Sequence, residues 1–155
     1  MAGYCFTQLG KIQLAKGQFK KAEKSFDNAL NNLNVRGEYS QDIAASYRGL
    51  TKVYTNLHDV KKAKEHLVRT INVYDALAMF KELRTLDEEF SMLNTKVEDY
   101  LPVHETKENG EPKKCRECGN EQFNMVEEKI DRKVFECKSC NWRNVVLKQE
   151  KTITA

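Results

Sequence analysis

Cys115, Cys118, Cys137 and Cys140 constrain the fold of this chain more than any other residues. They form two C-x-x-C pairs, Cys115-Arg116-Glu117-Cys118 and Cys137-Lys138-Ser139-Cys140, with 18 residues between them. Such a pair is too tight for an easy disulfide within itself, yet it sets two thiolates on one turn. Two pairs supply the four ligands of one tetrahedral metal ion. Gly119 and Asn141 follow the pairs, and both residue types accept the left-handed backbone that turns amides towards the sulfurs. The competing reading is four free or disulfide-paired cysteines in an ordinary domain. No basic-then-apolar signal pattern opens the chain, and no apolar run is long enough to span a membrane. A cytoplasmic location is therefore expected, and in that reducing compartment the pairs favour metal over disulfide.

Charge narrows the choice of partners. The formal net charge is +3. Of the 26 basic and 23 acidic side chains, 15 and 13 fall in residues 1–100, leaving 11 and 10 for residues 101–155. Neither half is strongly basic, which argues against tight, sequence-independent nucleic-acid binding, since that depends on many phosphate contacts.

Residues 1–100 contain no proline, and their apolar residues recur at three- and four-residue steps, so each helix has one buried face. The pattern predicts helices over 3–16, 18–34, 41–57 and 60–74. Ser40 and Asp59 are placed to cap the third and fourth, and Asn34 to Ser40, with Gly37, connects the two pairs. The segment also repeats. The first copy reads Phe6-x-x-Leu9-Gly10, then Gly17-x-Phe19-x-x-Ala22-x-x-x-Phe26-x-x-Ala29-Leu30; the second has Tyr47-x-x-Leu50, then Tyr54, Val60, Ala63, Leu67 and Ile71. Ala22 and Ala63 correspond, a period of 41. Over roughly residues 3–74 this resembles the tetratricopeptide repeat, and its length is similar to the long-period repeats of bacterial peptide-sensing regulators. Gly10 and Ala22 are small where paired helices approach, Phe6 and Phe26 are large where they interlock, and Gly17 opens the turn. In the second copy Thr51 stands at the small position and His58 at the turn glycine.

A fifth helix is predicted over 76–100. Ala76, Met79, Leu83, Leu86, Phe90, Leu93, Val97 and Tyr100 form a heptad seam. The seam has two uses: closing the open end of the repeat stack, or pairing with its twin in a homodimer through residues 76–100. Glu82 would face Asp87 of a parallel partner, which is repulsive.

Residues 101–113 hold both prolines, Pro102 and Pro112, with Gly110, and read as a linker. Beyond it, Phe123, Met125 and Glu127 alternate with Asn124, Val126 and Glu128 as in a strand. Lys129 to Arg132 turn, Lys133 to Glu136 lead into the second cysteine pair, and Val145 to Leu147 make a third strand. Residues 113–147 resemble a zinc ribbon, which implies one structural Zn2+ held by Cys115, Cys118, Cys137 and Cys140. Four thiolates leave no coordination position for water, so the site is closed rather than catalytic. Iron in a rubredoxin-like site uses similar knuckles and is the alternative metal. Trp142 and Arg143 follow the second knuckle, as a second contact that stacks on a base or anchors a partner, or as core cover and a solvated charge.

The fold expected is mainly α: a two-repeat tetratricopeptide-like stack of α-hairpins with a long fifth helix in 1–100, a linker in 101–113, a small β zinc ribbon in 114–147 and a tail in 148–155. No catalytic constellation is present. His58, His66 and His104 lack metal-ligand spacing and read as solvated side chains, and Cys5 has no partner base. The tetratricopeptide resemblance implies a concave groove lined by Thr7, Lys11, Leu14 and Ala15 and by Arg48, Lys52, Thr55 and Asn56. Lys11, Arg48 and Lys52 make it basic, and Asn56 is placed to hold peptide backbone. The expected role is a protein- or peptide-binding adaptor, not an enzyme, whose partner is acidic or offers a C-terminal carboxylate. The alternative is a transcription-related regulator whose ribbon touches nucleic acid or polymerase.

Overall fold

The computed structural model describes residues 2–34 and 39–148. Gly37 and residues 149–155 of the tail lie outside them. The chain divides between Thr95 and Lys96 into two compact units.

Among its described residues the first unit has five α-helices: α1 (Ala2–Ala15), α2 (Phe19–Leu33), α3 (Gln41–Asn56), α4 (Val60–Ala76) and α5 (Phe80–Glu89). The first four fall within two residues of the predicted spans. The Ser40 hydroxyl accepts from the Ile43 amide and the Asp59 carboxylate from the Lys62 amide, so both caps form as expected. α1 packs on α2, α2 on α3, and α3 on α4.

One aromatic side chain sets the spacing of the first three helices. Phe26 of α2 is fully buried. A Cβ at Gly10 of α1 would lie 2.7 Å from its ring, and one at Gly49 of α3 2.3 Å. Phe26 is thus wedged between two glycine notches, each placed inside a helix where glycine costs about 1 kcal/mol against alanine. Gly10 was legible from the repeat. Gly49 was not, because the 41-residue register points to Thr51, which is buried two residues further on and donates to the Tyr47 carbonyl. A buried polar pair adds specificity: Thr7 donates to the Gly3 carbonyl and shares a 2.9 Å hydrogen bond with Ser46 of α3.

The single helix expected over 76–100 is corrected. α4 ends at Ala76, and the chain turns through Ala78 at φ +53° before α5 begins. This turn copies the two before it. Gln18, Asp59 and Met79 each donate back five residues, to Gln13, Tyr54 and Tyr74, around a left-handed residue: Gly17, His58 and Ala78. α5 is followed by a 3-10 turn (Ser91–Leu93), the left-handed Asn94 and a second 3-10 turn (Val97–Tyr100). Leu83, Leu86, Phe90 and Leu93 are buried, with α5 and its following turn packed on α4. A continuous seam through which residues 76–100 would pair with a twin does not exist.

The second unit holds an antiparallel sheet of β1 (Phe123–Glu128), β2 (Arg132–Cys137) and β3 (Arg143–Leu147), in that spatial order. A bulge between Met125 and Glu127 breaks the alternation predicted for β1. One side of the sheet packs Phe123 edge-on to Phe135, with Trp142 and Val146 against them. Val134 and Val145 are buried as a cross-strand pair. Residues 101–113 depart from the linker reading. Leu101 and Val103 are buried, the Val103 amide donates to Val145, and Thr106 bridges to Pro112 across a turn at Gly110. The 3-10 turn Val97–Tyr100 packs on β3, and its Glu98 and Asp99 pair with Arg143 and Arg132. The sequence signal missed here was two prolines read as linker composition; both lie in backbone ordered by its neighbours.

Candidate functional site

Two turns bring the four cysteines together. In the first, Gly119 takes φ +74° and its amide donates to the Cys115 carbonyl, while the Cys115 amide donates to Asn120. In the second, Asn141 takes φ +62° and its amide donates to Cys137, whose own amide donates to Trp142. Gly119 and Asn141 thus adopt the left-handed backbone predicted for them. The Lys138 amide donates to Gln122 and ties the second turn to the strand that leaves the first.

The Sγ atoms of Cys115, Cys118, Cys137 and Cys140 all lie within 4.8 Å of one another. The closest approaches are Cys118 to Cys137 at 3.5 Å and Cys115 to Cys140 at 3.6 Å. These distances are too long for disulfides, and all four thiols are free. They suit a metal: sulfurs about 2.3 Å from a tetrahedral zinc stand about 3.8 Å apart. The group could hold a metal ion. Its inner edge is dry, with Cys115 and Cys137 buried, and its outer edge is open at Cys118. Burial raises the Cys137 thiol, but hydrogen bonds from the Cys140 and Ser139 amides and from the Cys118 thiol outweigh it and bring it down to about 7. Burial and the neighbouring thiols push Cys140 up to about 12. Amides aimed at sulfur favour the thiolate, which is the ligand form.

Asn144 is the site residue that sequence reasoning missed. It is fully buried in β3. Its Oδ1 accepts from the Arg116 amide inside the first cysteine pair, and its Nδ2 donates to the Trp142 carbonyl at 3.0 Å and reaches the Cys115 Sγ at 3.5 Å. One side chain therefore clips both turns and one sulfur. The available signal was an asparagine directly before the apolar run Val145-Val146-Leu147.

The second-contact pair resolves differently. Trp142 is half-buried against the cluster of Cys115, Phe123, Phe135 and Cys137. Arg143 is ion-paired with Glu127 at 3.1 Å and Glu98 at 3.5 Å. The arginine is committed to carboxylates of its own unit rather than presented beside an exposed ring.

In the helical unit, Lys11, Leu14, Arg48, Gly49, Lys52 and Tyr74 line a cavity of about 250 Å³. Of the eight groove residues expected, Lys11, Leu14, Arg48 and Lys52 are thus together, while Ala15 and Thr55 do not line the cavity. Asn56 is exposed and stands apart from the cavity, its Nδ2 donating to the Lys52 carbonyl. Thr7 is buried between helices rather than lining a groove. Sequence reading also missed Glu89. Its carboxylate accepts from both the Nε and the Nη2 of Arg48, and stands 2.8 Å from the Lys52 Nζ. Arg48 further donates to the Tyr74 hydroxyl and to Thr85. Burial works against Glu89 ionising, but the Arg48 and Lys52 bonds hold its carboxyl below the usual range.

His66 is not a solvated side chain. It stacks on Tyr54 at 5.2 Å and Tyr47 at 6.1 Å, and burial, with Arg69 nearby, lowers its pKa. His58 and His104 are exposed, as is Cys5. No helix is long and apolar enough to cross a membrane among the described residues. Comparison with protein families, with curated proteins and with solved structures gives no match for the chain.

Proposed function

We propose that the chain is a cytoplasmic, non-enzymatic adaptor that binds an acidic peptide segment through its helical unit, and that its second unit is a zinc ribbon serving as a further contact or assembly element. The observation that carries the binding reading is the cavity between α1 and α3. Lys11, Arg48 and Lys52 converge on it from two helices, and only one carboxylate, Glu89, is paired with them among the described residues. The cavity thus keeps an excess of positive charge, which suits a partner carboxylate. The tetratricopeptide resemblance supports the same reading, since α1 and α3 are the first helices of its two copies. For the second unit, the sulfur spacing supports zinc, and four thiolates with no open position make its role structural. The nucleic-acid reading draws little support, because Arg143 is held by Glu127 and Glu98.

Lys11 gives the cleanest test, because it has no carboxylate partner among the described residues and reversing it disturbs no ion pair. The purified full chain, metal content verified, is titrated with a labelled acidic peptide and followed by fluorescence anisotropy. Binding that weakens with salt and drops at least about tenfold in Lys11→Glu is expected. Binding that ignores both the salt and the reversal would remove the groove from the reading.

A further inference from the structure

The anion position of the basic cavity is already taken by the chain itself. Glu89 is the last residue of α5. Its Oε2 accepts two hydrogen bonds from the Arg48 guanidinium and its Oε1 faces Lys52, so one carboxylate engages two of the three cations that line the cavity. This is how a carboxylate of a bound peptide would be held. The flanking sequence is that of a ligand too: Leu86-Asp87-Glu88-Glu89-Phe90 places an acidic triplet between two apolar anchors, and Leu86 and Phe90 are buried.

The helix that carries Glu89 is short and depends on its neighbours. It is 10 residues long, below the length at which a helix is stable by itself. It is preceded by Ala78, a residue with a side chain held in left-handed backbone at φ +53°. Its N-terminal boundary residue, Met79, offers no side-chain cap. α5 is held by its buried Leu83, Leu86 and Phe90, and the carboxylate of Glu89, beside the Thr85–Arg48 hydrogen bond, ties its last turn to α3.

We propose that Glu89 is a resident competitor for the groove, and that the partner is an acidic helical segment of α5-like chemistry whose carboxylate takes the place of Glu89 on Arg48 and Lys52. The proposal rests on the peptide-binding reading above and adds its regulation. Affinity is set by how often Glu89 leaves: if the groove is open one-tenth of the time, the apparent affinity is about tenfold below the intrinsic one. Removing the Glu89 charge removes that penalty.

The probe is a labelled peptide containing Leu-Asp-Glu-Glu-Phe, with a version carrying Gln for both Glu as control. It is titrated by fluorescence anisotropy into full-length wild type and into Glu89→Gln, with helical circular dichroism confirming that both are folded. The expected result is at least about tenfold tighter binding to Glu89→Gln and no such gain for the control peptide. In wild type, saturation with the peptide should also shift the ¹³C carboxyl resonance of Glu89, a readout that needs no substitution. Equal affinity of wild type and Glu89→Gln with an unmoved Glu89 resonance would overturn the competitor while leaving the groove in place. Weaker binding to Glu89→Gln would make Glu89 a support of the groove, which also overturns it. No binding to either protein would sink the peptide-binding reading itself.

Discussion

The two units hold their folds by different means. In the helical unit the largest fully buried side chains are Phe26, Ile43, Leu50, Ile71, Leu83 and Leu86, with Val53 and Val73 close behind. Among the described residues of the sheet unit only Val134 and Val145 join them, beside the polar Asn144. The helical unit can therefore draw its stability from apolar area removed from water, at about 25 cal/mol per Å². The sheet unit has two thin apolar layers and four sulfurs within 4.8 Å of each other. What differs is not only the amount of core but where failure would start: dispersed packing loses stability residue by residue, whereas the proposed metal site would lose it at one point.

Metal removal is the sharpest way to separate the two. A structural zinc contributes on the order of 10–16 kcal/mol to a small thiolate domain at neutral pH, more than a unit of this size gains from its core. Chelation, or Cys137→Ser at the buried ligand, is expected to abolish the dispersed amide resonances of the sheet unit and leave the helical circular dichroism in place. An ordered sheet in metal-free protein would show that its two apolar layers suffice, and the contrast between the units would disappear.

Next in size is the wedge of the helical unit. Phe26→Ala removes the ring that both glycine notches receive and is expected to cost about 3–5 kcal/mol in denaturant unfolding. Gly49→Ala acts from the other side. Its Cβ would lie 2.3 Å from the ring, so overpacking of about 1–3 kcal/mol outweighs the roughly 1 kcal/mol that alanine gains in a helix. Phe26→Leu should then partly rescue Gly49→Ala, because the two share one contact. Additive costs would separate the notch from the wedge. Neither substitution should alter metal content, which keeps the comparison clean.

The sequence made some of this legible and hid the rest for identifiable reasons. The first four helices followed from three- and four-residue spacing, and the knuckles from cysteine spacing with Gly119 and Asn141. The end of α4 was hidden because the usual stop signals, glycine or proline, are absent at Ala78. A subtler sign was present: Val53-Tyr54-x-x-Leu57 and Val73-Tyr74-x-x-Leu77 close two successive helices with one motif, and both lead into the same turn. The buried apolar stripe from Leu83 to Leu93 looks like a heptad because the helix and the turn that follows bury their residues at similar steps. Of the sites, the four-cysteine cluster is a local pattern and could be read; the approach of Glu89 to Arg48 spans 41 positions and could not. Asn144 lies between these cases, visible as an anomaly in a strand but not as a clip.

That clip gives an intermediate effect. Asn144→Ala leaves the four cysteines intact but removes the acceptor of the Arg116 amide and the donor near Cys115. Residues that orient ligands from behind typically change metal affinity by about 10–100-fold. Competition with a chromophoric chelator should register a loss of that size in the full chain, with the helical unit's melting unaffected. A variant with wild-type affinity would confine Asn144 to packing.

The smallest effect concerns the turns, where the helical unit tolerates what the sheet unit avoids. Among the described residues, the sheet unit puts glycine or asparagine at its left-handed positions, Gly110, Gly119 and Asn141, and the helical unit puts His58 and Ala78 at two of four. Left-handed backbone costs a residue with a side chain roughly 1–2 kcal/mol, and glycine gives back about 0.4–1 kcal/mol through the entropy of the unfolded chain. His58→Gly and Ala78→Gly should therefore each stabilise by about 0.5–1 kcal/mol. In a unit of this length that raises the melting temperature by roughly 2–8 °C. Gly17→Ala, at the equivalent turn where a Cβ meets no atom within 4 Å, should lower it by a similar amount. Because the added methyl touches nothing, its penalty is backbone strain alone. If the melting temperature does not rise in either glycine variant, the three turns differ in the strain they carry despite sharing one hydrogen-bond pattern.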